Sequence, residues 1–184
     1  MTEARKKLIE EKALSLLLSQ RIGGEYALSF LDLRKITTGG KIMIDTFSSY
    51  EKRVVAALPS SAEGLTVKTP SMDIILYDDK VTNSRRRNWT IAHELGHVLL
   101  GHGEVSRANE READAFAAEL LMPEAVIRFL DEREGEPISP ETMTNYFPAS
   151  LTACKRRRLN LAFDERYRPT EKGIELIKRL FEPK

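Results

Sequence analysis

The chain has 184 residues, 41% of them hydrophobic and 31% charged, which is enough apolar material for one compact domain with a core. Twenty-nine basic residues against 28 acidic ones leave a formal net charge of +1, which argues against a strongly basic nucleic-acid binder and against an acidic disordered tail. Cys154 is the single cysteine, so no internal disulfide can form, and this fits a reducing cytoplasm.

The N-terminal stretch MTEARKKLIEEKALSLLLSQR is too charged for a signal peptide, and no run approaches the roughly 18–20 apolar residues that a membrane span needs. Its apolar positions Leu8, Ile9, Ala13, Leu16 and Leu17 return every three to four residues and predict a helix over 3–20, closed by Gly23-Gly24. A second short helix is expected over 26–36, then a strand over 41–47. A helix follows over 48–58, with Ser48 or Ser49 as its cap. GLTVK (64–68) and DIILY (73–77), joined by a turn-rich link, predict an antiparallel pair. Residues 82–101 read as a helix that starts at Asn83 or Ser84 and stops at Gly101. Residues 107–121, rich in Ala, Glu and Leu, predict the next, and shorter helices are expected over 123–134, 139–147, 149–159 and 170–181. The fold class is α+β, a small antiparallel sheet packed on helices. It is read as one domain over 1–184: an N-terminal helical part (1–60), a core (64–123) and C-terminal helices (124–184).

All three histidines fall between His93 and His102, in TIAHELGHVLLGH. His93-Glu94-Leu95-Gly96-His97 is an HExxH pattern. On a helix, residues four apart stand one turn above each other, so both imidazoles can reach one metal ion. Glu94 is offset by one position and can act as a base beside the metal without filling its coordination sphere. Gly96 would let another backbone or a ligand come close. A zinc site of this kind needs a third protein ligand and leaves the fourth position to water. Glu110 and Asp114, four apart on the following helix, share a face, so one can ligate while the other accepts the N–H of a ligating histidine. Small Ala113, Ala117 and Ala118 would allow the two helices to pack closely. Glu112 is displaced by about 200° from Glu110 around the helix. It shares its side with Glu119 and reads as a solvated charge, which leaves Glu110 as the ligand.

RRRNWTIAHELGHVLLGH followed by EREADAFAAELLMP resembles the ImmA/IrrE family of metallopeptidases, closely across 82–123 and in general shape elsewhere. The resemblance implies a zincin-like core with Zn2+ held by His93, His97 and Glu110, Glu94 as catalytic base and Asp114 in support. It also implies a helix-turn-helix transcriptional repressor as the cleaved partner, whose loss switches on mobile-element or stress genes. The substrate is expected to lie along an exposed strand, for which 73–77 is nominated. Tyr77 and His102 are candidates for stabilising the oxyanion, but each reads better as structure: a strand aromatic, and a residue hydrogen-bonded near a helix C-terminus. Arg85-Arg86-Arg87 and Lys155-Arg156-Arg157-Arg158 read as solvated helix faces, so direct nucleic-acid contact is not expected. Segment 139–161 can nonetheless be read as a helix-turn-helix, which keeps a DNA-binding regulator open as an alternative, beside a zinc protein that binds a repressor without cutting it. Cys154 reads as a packing residue.

Overall fold

The computed structural model describes residues 1–50, 62–104, 106–161 and 167–182. The chain divides into two compact units, one of residues 32–117 and one of residues 1–31 with 118–184.

The 32–117 unit holds three strands, β1 (Ile42–Thr46), β2 (Gly64–Lys68) and β3 (Asp73–Tyr77). It also holds α2 (Ser84–Leu99) and most of α3 (Arg107–Leu121). The sheet order is β1-β3-β2. The expected antiparallel pair forms, with Gly64 opposite Tyr77 and Thr66 opposite Ile75. β1 adds to the other side of β3 in parallel, Ile44 opposite Ile75, so the sheet is mixed rather than antiparallel throughout. β3 is therefore the centre of the sheet and has no free edge for a substrate. The reason lies in its composition: Ile74, Ile75 and Leu76 are consecutive and all buried, as in a strand covered on both faces. Among the described residues the edges belong to β1 and β2.

Helix α2 starts where expected. The Asn83 side chain accepts from the Arg86 N–H, 3.1 Å. Its end is a Schellman turn: the Gly101 N–H donates to the Val98 carbonyl at 3.1 Å and the His102 N–H to the His97 carbonyl at 3.0 Å. Gly101 supplies the left-handed conformation this turn requires, φ +73°. Helices α2 and α3 approach closely at Gly96. A Cβ there would lie 3.0 Å from the Ala113 Cα, 3.1 Å from its carbonyl oxygen and 3.2 Å from the Phe116 Cβ. Ala113 and Ala117 are fully buried, as their size foretold.

Residues 26–36 do not form one helix. They make two 3-10 turns, Ala27–Phe30 and Leu33–Lys35, separated by an extended Leu31. The buried residues Leu28 and Leu33 are five apart, a spacing that one helix face does not serve. Asp32 starts the second turn by accepting from the Arg34 N–H. The helix expected over 48–58 lies outside the described residues from Glu51 onward.

The other unit is helical, with α1 (Glu3–Leu18), α4 (Glu124–Glu134), α5 (Pro140–Tyr146), α6 (Leu151–Leu161) and α7 (Glu171–Phe181). Leu14, Leu17, Leu130, Phe147 and Leu176 are among its buried residues. Cys154 is buried with them and forms no disulfide. α5 and α6 pack together as a helical hairpin. Half of the basic run on α6 is turned inward. Arg157 pairs with the buried Glu119 and donates to the Met122 carbonyl, while Arg158 grips both oxygens of Asp131 at 2.7 and 2.8 Å. That half of the run is less solvated than expected and is committed to internal partners, while Lys155 and Arg156 stay exposed. Among the described residues no helix is long and apolar enough to cross a membrane.

Two outcomes follow from this packing. Gly96→Ala will lower stability by about 1–3 kcal/mol, because the added methyl meets backbone that cannot move aside cheaply; a shift in the denaturant midpoint measures it. Arg157→Ala leaves Glu119 buried without its partner and will cost about 3–5 kcal/mol in the same assay, far more than loss of a solvated charge.

Candidate functional site

The HExxH segment lies in the second half of α2, and the helical spacing works as the sequence suggested. His93 Nε2 and His97 Nε2 are 3.1 Å apart. Across from them the first turns of α3 bring in Glu110. Its Oε2 is 3.3 Å from His93 Nε2 and its Oε1 is 3.4 Å from His97 Nε2. The three side chains thus point one donor atom each at a common point, and among the described residues they form the one group so arranged. Two imidazole nitrogens with one carboxylate suit a divalent transition-metal ion. The close approach at Gly96 is what makes this possible, since any bulk there would hold α3 and Glu110 away.

Asp114, one turn beyond Glu110, stands behind His93, with its Oδ1 3.0 Å from His93 Nδ1. That is the supporting position expected for it. Burial lowers the His93 pKa, but the hydrogen bond and charge of Asp114, with Glu94 and Glu110, outweigh it and raise it overall. His97 lacks so close a carboxylate, and burial followed by the charge of His93 pushes its pKa down.

Glu94 faces the sheet. Thr66 on β2 donates to its Oε2 at 2.7 Å. Gly64, two residues earlier on the same strand face, leaves the space in which the carboxylate sits. A Cβ there would be 2.6 Å from the Thr90 Cγ2, 3.1 Å from the Glu94 Cγ and 3.2 Å from its Oε1. Burial raises the Glu94 pKa, partly offset by the Thr66 hydrogen bond. The carboxylate's affinity for a proton is therefore above that of a solvated glutamate.

These observations agree with a match to the family model of the IrrE N-terminal-like domain, peptidase M78, over residues 51–158. The chain belongs to this family. It is thereby of metallopeptidase type, and the convergent His93, His97 and Glu110 lie within the matched span. No curated protein sequence matches the chain.

Sequence reasoning missed four members of this site. Gly64 and Thr66 form the seat of Glu94, and their spacing of two on a strand was the available signal. His102 and Glu112 lie behind His97. His102 Nδ1 is 3.0 Å from His97 Nδ1, and His102 Nε2 is 3.0 Å from Glu112 Oε2. Glu112 is not the solvated charge expected: its side chain is 19% exposed and paired. For His102 the structural reading holds, since it is hydrogen-bonded just past the end of α2. Tyr77 is buried in β3, where Arg34 interacts with it.

The geometry predicts one divalent metal ion per chain. Elemental analysis of purified protein will find it in the wild type and find it lost or strongly reduced in His97→Ala and Glu110→Ala. No bound metal in the wild type after metal is supplied would contradict the arrangement.

Proposed function

We propose that the chain is a zinc-dependent endopeptidase with a zincin-like core, and that its substrate is a helix-turn-helix transcriptional repressor in the cytoplasm. The observation that carries the catalytic part is the separation of roles on α2. His93 and His97 point at Glu110, whereas Glu94, between them in sequence, points at β2 and stays out of the donor set. Zinc fits the donors. Two imidazole nitrogens and a carboxylate are the donor types zinc prefers; here the two nitrogens are 3.1 Å apart, and the Glu110 carboxylate sets Oε2 3.3 Å from His93 and Oε1 3.4 Å from His97. Zinc when bound supplies Lewis acidity, lowering the pKa of water toward about 7 and polarising the scissile carbonyl.

The chain's own residues supply the rest. His93, His97 and Glu110 would hold the ion. Glu94 takes a proton from the attacking water and returns it to the departing amine. Its raised proton affinity, which comes from burial, suits that exchange. Thr66 fixes one carboxylate oxygen, which keeps the base oriented. β2 is an edge strand among the described residues and touches Glu94 directly, so an extended substrate segment adding to it would lie beside the base.

The choice of a repressor as substrate rests on the family resemblance. The rival reading of 139–161 as a DNA-binding element is weakened by the inward pairing of Arg157 and Arg158. Glu94→Gln separates cutting from mere binding, because it keeps the metal donors and removes the base. We expect it to retain metal and lose peptide hydrolysis of the cognate repressor by roughly 100-fold or more. A variant that still relieves repression would instead establish a binding protein. Duplex-DNA affinity that falls steeply with salt would bring back the regulator.

A further inference from the structure

His102 and Glu112 take no part in the reaction just described, yet both are held with care. The Schellman turn ties the His102 N–H to the His97 carbonyl at 3.0 Å. Lys68 Nζ donates to the His102 carbonyl at 2.8 Å, so the peptide is fixed from both sides. The His102 side chain is 5% exposed and has a partner at each ring nitrogen, His97 Nδ1 on one and Glu112 Oε2 on the other.

The positions of the hydrogens follow from this arrangement. Two facing Nδ1 atoms 3.0 Å apart share one hydrogen between them. His97 turns its Nε2 toward His93 and Glu110. A ring whose Nε2 lone pair serves a metal carries its hydrogen on Nδ1. The His97 Nδ1–H therefore donates, and His102 Nδ1 accepts. The hydrogen of His102 is then on Nε2, and it is donated to Glu112.

We infer that His102 and Glu112 are positioning residues of the metal site. They form a relay from Glu112 through His102 to His97 that fixes the orientation and tautomer of the second histidine ligand. Asp114 does the same for His93 by direct contact. The relay connects the Nδ1 side of His97 to a carboxylate, reached through an intervening imidazole. The inference rests on the reading of His93, His97 and Glu110 as ligands.

Nitrogen-15 NMR of the histidines in the zinc-loaded chain tests it on the unaltered protein. The expected pattern is His97 protonated on Nδ1 and His102 on Nε2; a hydrogen on His102 Nδ1 overturns the relay. Chelator competition adds a second readout. His102→Ala and Glu112→Ala should each weaken zinc affinity by roughly 10–100-fold. The double variant should be no weaker than His102→Ala, since the chain is already broken there. His102→Gln, which keeps an acceptor and a donor side by side, should recover part of the loss. Unchanged affinity in the folded single variants, or losses that simply add, overturns the relay. If the alanine variants do not fold, the NMR pattern of the wild type decides alone. A wild type that binds no zinc fails the ligand reading itself, and the relay falls with it.

Discussion

The close approach of α2 and α3 at Gly96 is the constraint on which the site depends. Two helices with ordinary side chains at their contact stand about 8–10 Å apart. Here a missing side chain on α2 meets Ala113 and the Phe116 Cβ on α3. Glu110 is one helical turn before Ala113, and His97 is next to Gly96. The distance between the helices therefore sets the distance between the donors. The same contact brings Asp114 against His93 and Glu112 against His102. α3 thus supplies three carboxylates from two of its sides, Glu110 and Asp114 from one and Glu112 from another, each set against a histidine.

The electrostatics favour a cation at this point. Four carboxylates, Glu94, Glu110, Glu112 and Asp114, surround three histidines. Carboxylates gathered in this way repel one another, and burial makes that worse. Solvent relieves part of the cost at Glu110 and Asp114, whose side chains are 46% and 41% exposed. Glu94 is more deeply placed and responds by raising its pKa. A divalent ion at the convergence of His93, His97 and Glu110 offsets the remaining charge and gives the cluster a physical reason to exist.

Much of this was legible in the sequence. The 3.6-residue period placed His93 and His97 on one face, and the same rule placed Glu110 and Asp114 together on the next helix. The helix limits came close because local signals set them: the Asn83 cap, the Gly101 turn and Pro123. What was not legible depends on nonlocal pairing. The nomination of 73–77 as an edge failed because strand order is fixed by partners distant in sequence. Its unbroken apolar run, read on its own terms, already marked a strand covered on both faces. Glu112 was misjudged for a related reason. Helical angle shows that it faces away from Glu110, but not that the chain after Gly101 turns back to place His102 there. The basic run on α6 was misjudged in the same way, since Glu119 and Asp131 become its partners only in the folded unit.

The sequence distances within the site have a kinetic meaning. Only 21 positions separate His93 from Asp114, 10 separate His102 from Glu112, and 4 separate the two histidine donors. The entropy lost in closing such short loops is small, so the metal-holding half of the site is a low-contact-order element that can assemble early. Glu94 depends on a longer closure, 28 positions back to Thr66, and on a strand that must first find β3. Bringing the three donors together and seating Glu94 on β2 therefore carry different closure costs, the first the smaller. The seat of the base thus depends on the whole sheet, whereas the donor set depends on two consecutive helices alone.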